Sequence, residues 1–150
     1  MNRLIKPVVY DYSARRRAID GLCAEYELIK RTTVGRSCGG RDITALKIGS
    51  AAEYSLIAAA FHGSEHITSA VLLMFIEELA DAVKNGGYIA GLNAARALSG
   101  RGVIFVPCVN PDGCEISIGG INACGELGET VRRLCLGDFK HWNANLRGVD

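Results

Sequence analysis

The sequence predicts an α/β fold, a sheet layered with helices. Two observations carry that expectation. Short apolar runs at 43–48, 54–61 and 103–109 alternate with longer stretches whose apolar side chains recur at helical spacing. Apolar residues make up 49% of the 150 residues and charged residues 22%, enough for one domain with a sizeable core.

The elements follow in order. Ile19, Leu22, Cys23 and Tyr26 repeat at i, i+3, i+4, i+7 and predict a first helix over Tyr12 to Ile29. Arg15, Arg16 and Arg17 then fall on its solvated side. The glycine-rich stretch Gly35 to Arg41 reads as a break. Ile43 to Ile48 is a strand closed by Gly49. Tyr54 to Phe61 is a second strand, apolar almost throughout, and is expected to be buried on both faces. Val71, Leu72, Phe75, Ile76 and Leu79 mark a helix from Thr68 that Asn85-Gly86-Gly87 stops. Ile89 to Leu98 reads as a short helix and Val103 to Val109 as a third buried strand. Asn110-Pro111-Asp112-Gly113 reads as a turn in which Gly113 takes an unusual backbone angle. Cys114 to Lys140 has weak periodicity, so a long loop is expected, with one short helix near Glu129 to Leu134.

Bulk properties exclude several functions. A net charge of +1 offers no field for nucleic acid or an anionic membrane. No apolar run nears the roughly 20 residues that span a bilayer. Pro7 and Asp11 interrupt the N-terminal stretch, so no signal peptide is read and a cytoplasmic location is expected. The six cysteines are then read as reduced thiols, and without a CxxC pair they predict no cysteine zinc site.

Chemistry concentrates at His62-Gly63-Ser64-Glu65, directly after the second strand. A lone histidine is more often packed or solvated than functional. An imidazole and a carboxylate three residues apart at a strand's C-terminal end can nevertheless share a metal ion, and ligands bind at that edge of open α/β sheets. His66 opens an alternative: His62 to His66 fits H-x-x-E-H, with both histidines as zinc ligands and Glu65 as general base. That reading needs His62 inside a helix, where Gly63 and Ser64 are poor residues.

Five segments in order are similar to one family. They are Tyr10-Asp11-Tyr12, Val34 to Ile43, His62 to Ser69, Val106 to Gly113 and Trp142 to Asp150. Together they resemble the M14 zinc carboxypeptidases, above all the bacterial branch of γ-D-glutamyl-diamino-acid peptidases that act on cell-wall peptides. The resemblance implies a three-layer α/β/α fold around a mixed, mostly parallel sheet, incomplete at its C-terminus. Residues 1–150 are then the N-terminal part of a single zinc peptidase catalytic domain.

The resemblance further implies Zn2+ bound by His62 and Glu65, with Asp150 hydrogen-bonded to the other nitrogen of His62. Asn143 and Arg147 fall in the substrate-binding segment, the substrate being a peptide, including one derived from peptidoglycan. Asn143 stands where the family often carries a cation, and Ser64 where pancreatic-type members carry Arg. The family's third zinc ligand, a His, and its general-base Glu are expected beyond Asp150, so this chain is expected to be inactive alone. A non-catalytic binding or structural module is the competing reading.

Overall fold

The computed structural model describes residues 3–150. Asp11 caps the first helix, α1 (Tyr12–Glu25), by accepting from the backbone N–H of Ala14 at 2.6 Å. α1 stops at Glu25, short of the expected Ile29. Arg15 departs from the solvated reading: it is buried, and its Nη1 donates to the Tyr10 carbonyl at 3.1 Å. Arg16 and Arg17 are exposed as expected.

The next element, β1 (Lys30–Arg36), escaped the sequence reading. It is an edge strand, polar and almost wholly exposed, so it shows no apolar alternation. It pairs antiparallel with β2 (Asp42–Ile48), with a register shift between Thr33 and Gly35. β3 (Tyr54–Ala58) and β6 (Gly102–Val106) complete a four-stranded sheet in the order β1-β2-β6-β3. β2 runs antiparallel to β6, and β3 runs parallel to it. The sheet is mixed, as expected, but two of its three pairings are antiparallel, which corrects the expected parallel majority among these strands.

One face of the sheet carries Leu46, Ile48, Val103 and Phe105, which pack with α1 and with α2 (Ile67–Lys84). Ile19 and Leu22 come from α1, and Leu73, Ile76 and Ala80 from α2. Buried Glu77 of α2 accepts from the backbone N–H groups of Leu4 and Ile5 at 2.7 and 3.0 Å, and so fastens the N-terminal segment to this layer. The register puts Lys47, Ile104 and Leu56 side by side on the opposite face. Leu56 is 68% exposed and Ile57 is 41% exposed, so β3 is not buried on both faces. The reason is position: β3 is the edge strand, and no further strand pairs with it among the described residues.

Between α2 and β6 the expected helix over Ile89 to Leu98 is mostly a hairpin. β4 (Tyr88–Ile89) and β5 (Leu92–Asn93) pair around Ala90 and Gly91, both at positive φ, leaving only α3 (Ala94–Ala97) helical. Asn93 caps α3 by accepting from the Arg96 N–H at 2.9 Å.

The expected turn and loop after β6 are also helical. Asn110 accepts from the Gly113 N–H at 2.9 Å and starts α4 (Pro111–Gly119), with Pro111 in its first turn. Two 3-10 turns, Gly120–Ala123 and Gly125–Leu127, lead into α5 (Gly128–Leu134), where the short helix was expected. α4 shows no amphipathic period because most of it is buried, including Cys114, Ile116 and Ser117. Ile116, Cys124, Val131, Trp142 and Leu146 form a second, smaller core.

Phe105 is fully buried, its ring edge-on to Phe75 with centroids 6.1 Å apart. Phe105→Ala is expected to cost about 3–5 kcal/mol in urea unfolding. Leu56→Ser, on the uncovered face, should stay within about 0.5 kcal/mol of the parent chain. Equal losses at both positions would contradict this assignment of faces.

Candidate metal centre

The parallel pairing of β3 with β6 continues beyond both strands. The Ala59 N–H donates to the Val106 carbonyl, and the Val109 and Asn110 N–H groups donate to the carbonyls of Ala59 and Ala60, each at 3.0 Å. Two chain segments therefore leave the sheet together at its C-terminal edge. Ala60 takes a positive φ of 52°, a strained conformation for a residue with a side chain, and redirects the chain into His62.

Gly63 explains the next step. A Cβ there would collide with the carbonyls of Gly113 and Trp142, so only glycine lets three backbones meet. Its N–H donates to the Asn143 carbonyl at 2.9 Å. Gly113 matters for the same reason and not for an unusual angle: it lies within helix α4, and a Cβ on it would come 2.6 Å from the Ala144 carbonyl.

His62 has extended backbone angles, φ −95° and ψ 142°, and precedes a single 3-10 turn, Gly63–Glu65. That turn brings Glu65 Oε2 to 3.1 Å from His62 Nδ1. Asp150 Oδ1 lies 3.7 Å from Nε2, within ion-pair reach but longer than a hydrogen bond. The three side chains are about half exposed. Because His62 is not helical, the H-x-x-E-H arrangement lacks the shared helical face it requires. His66 stands apart at the start of α2, its Nδ1 buried and without a hydrogen-bond partner.

Asp150 reaches His62 through a turn that the sequence reading passed over. Asn145 Oδ1 accepts from the N–H groups of Arg147 and Val149 at 2.8 and 3.2 Å, while the Asn145 N–H donates to the Val149 carbonyl at 2.8 Å. Gly148, at φ 77°, permits the reversal. An asparagine followed by a nearby glycine was the available signal.

His62 and Asp150 line a cavity of about 400 Å3 together with Phe61, Asn110, Asn145 and Val149. Asn143 and Arg147 do not line it. Asn143 hydrogen-bonds Ser64 through its side chain and holds Gly63 and Asn110 through its carbonyl, whereas the Arg147 side chain is exposed.

The loop from Arg36 to Cys38 closes the opposite wall of the cavity, and Asp112 holds that loop. The Asp112 carboxylate is 1% exposed. It accepts from Ser37 Oγ at 2.8 Å, from the Gly39 N–H at 2.7 Å and from Arg41 Nη1 at 2.6 Å. Local sequence places Asp112 only in a turn; its partners are more than 70 residues away in sequence, so local pattern does not reveal them.

As a metal site, the donor set is right in kind: an imidazole nitrogen and a carboxylate oxygen converge beside an open cavity. No group of three or more metal-binding side chains forms among the described residues. The fit is therefore that of two ligands, with the third needed from elsewhere.

The architecture is a mixed sheet with α1 and α2 packed on one face and the candidate site at the C-terminal ends of β3 and β6. The sequence profile of the zinc carboxypeptidases, peptidase family M14, matches residues 16–145, and the chain belongs to that family. It is 30% identical over 146 residues to the uncharacterised protein YqgT of Bacillus subtilis strain 168, covering 95% of this chain and 39% of that protein. It is 29% identical over 147 residues to γ-D-glutamyl-L-diamino acid endopeptidase 1 of Lysinibacillus sphaericus, covering 94% of this chain and 36% of the endopeptidase. The chain thus spans well under half the length of these relatives.

Among solved structures, thrombin-activatable fibrinolysis inhibitor superposes with a TM-score of 0.70 at 14% identity, over 96% of this chain and 32% of that one. Carboxypeptidase A from Helicoverpa armigera gives 0.63 at 20% identity, over 95% and 30%. These two likenesses concern the fold.

Asp112→Ala would leave Arg41 facing a buried gap and is expected to destabilise the chain by about 3–5 kcal/mol. Asp42→Ala, which breaks the surface pair with Arg36 at 3.0 Å, should cost less than about 1 kcal/mol. Chemical denaturation of both variants checks the contrast.

Proposed function

We propose that this chain forms the zinc-holding part of a metallopeptidase catalytic domain that hydrolyses small peptides. The observation that carries the reading is the convergence of His62 Nδ1 and Glu65 Oε2, with Asp150 facing Nε2. His62 and Glu65 would hold the zinc, which when bound lowers the pKa of a water molecule and polarises a carbonyl. Asp150, 3.7 Å away on the Nε2 side, would through its charge favour the tautomer with hydrogen on Nε2 and leave the Nδ1 lone pair for the metal. Gly63 and Asn145 position these groups by fixing the backbone on either side. The likeness to a γ-D-glutamyl-L-diamino acid endopeptidase supports a peptide of peptidoglycan origin as substrate.

Residues 1–150 are read as the N-terminal part of this domain, with the third ligand and the general base supplied from beyond them. Asn143, held beside Ser64, is the better placed of the two expected substrate contacts, offering a neutral amide donor and no charge to a developing oxyanion. Arg147 is kept as the second contact on the strength of its exposed guanidinium. A cytoplasmic location is supported by six cysteines that are all unpaired. No helix among the described residues is long and apolar enough to cross a membrane.

Zinc titration by calorimetry tests the ligand assignment. His62→Ala and Glu65→Ala should each abolish measurable binding, and Asp150→Ala should weaken it roughly 10–100-fold. Zinc binding unchanged in His62→Ala would sink the assignment. The 150-residue chain alone should show no turnover of a γ-D-glutamyl-diaminopimelate peptide. Turnover that a chelator abolishes would show that the two ligands suffice.

A further inference from the structure

Two thiols lie behind the wall of this site, apart from its candidate ligands. Cys108 lies two residues past the end of β6, and Cys114 lies in the first half of α4. Their Sγ atoms are 3.7 Å apart, and the two residues form a small core with Ala60. Cys108 is 5% exposed and Cys114 is 0% exposed. A disulfide needs the sulfurs at about 2.05 Å, so side-chain rotation has less than 2 Å to close.

Cys108 also lines a cavity of about 10 Å3 with Arg15, Tyr12, Pro107 and Pro111. That is space for roughly one water-sized molecule. Arg15 is 4% exposed; one nitrogen donates to the Tyr10 carbonyl, while Nη2 is buried with no hydrogen-bond partner. A buried guanidinium nitrogen lacking an acceptor favours negative charge beside it.

We propose that Cys108 and Cys114 are a dithiol–disulfide pair, oxidised by hydrogen peroxide that approaches Cys108 from the Arg15 side. The Cys108 thiolate attacks one peroxide oxygen and the O–O bond breaks. Cys108 becomes the sulfenic acid, and the departing hydroxide takes a proton to leave as water. The Cys114 sulfur then attacks the Cys108 sulfur, the S–O bond breaks, and the hydroxyl leaves with the Cys114 proton as a second water. Two thiols lose two electrons in all, and one peroxide is reduced to two waters.

The environment sets the order of the two sulfurs. The contact with Cys114 holds the Cys108 pKa below the usual thiol value; the Arg15 field assists, against the opposing effect of burial. The same contact, and then burial, push Cys114 up. Cys108 lines the Arg15 cavity, whereas Cys114 is fully buried behind it, so Cys108 is the attacking sulfur and Cys114 the resolving one. The bond closes a ring from 108 to 114 that contains Asp112 and Gly113, so oxidation would staple the wall of the site. None of this depends on zinc.

The test is peroxide titration of the native, metal-free chain, followed by alkylation under denaturing conditions and peptide mass mapping. The expected result is a loss of about 2 Da, the two thiol hydrogens, within the peptide holding Cys108 and Cys114, reversed by dithiothreitol. Cys124, in the same tryptic peptide, should still take the alkylating reagent. In Cys114→Ser, Cys108 should stop at the sulfenic acid and be trapped by dimedone; if that variant fails to fold, the map of the unaltered chain decides alone. Both thiols remaining free at peroxide levels that oxidise exposed Cys38 would overturn the proposal. So would overoxidation of Cys108 while Cys114 stays free.

Discussion

The parallel alignment of β3 with β6 is the constraint on which the rest of the molecule depends. Parallel strands deliver their C-terminal ends to the same edge of a sheet, so the segments that follow must emerge as neighbours. Here those segments are 59–65 and 107–113, and backbone hydrogen bonds keep them paired as far as Ala60 and Asn110. Gly63 then admits a third backbone, that of Trp142 and Asn143, by having no side chain to exclude it. Every group assigned to the candidate metal centre hangs from these three segments.

Around that junction the molecule separates holding from exposing. Asp112, Asn145 and Gly63 hold: they are buried or locked in turns, and their hydrogen bonds run to backbone or to neighbouring loops. His62, Glu65 and Asp150 expose: each keeps about half of its side-chain surface. A site that must accept a metal and a substrate needs accessible donors on an inaccessible frame, and the strain at Ala60 is located at the join. The buried thiols of Cys108 and Cys114 belong to the frame, which is why a change in their bonding would act on the site without touching its donors.

The sheet itself is unevenly covered. α1 and α2 seal one face, while Leu56 on the other face and the β3 edge meet solvent within this chain. Exposed apolar surface of this kind is costly and invites a partner surface. The chain spans less than two fifths of the relatives named above.

By itself the sequence determined the α/β class, the helices around Ile19 and Leu73, the buried strand around Phe105, and the two residues that converge as candidate ligands. These are legible because their signals are local: apolar period, a glycine-rich stop, and an imidazole and carboxylate three residues apart. Only the tertiary structure decided that β1 is a strand, that β3 is an edge, that Arg15 is buried and that α4 is a helix. Each depends on what lies across space. A polar edge strand has no buried face to write into the sequence, and a helix buried nearly all round has no polar face to mark its period. The same holds for Asp112, whose role comes from partners more than 70 positions away, and for Asp150, which reaches His62 only because Asn145 folds the chain back.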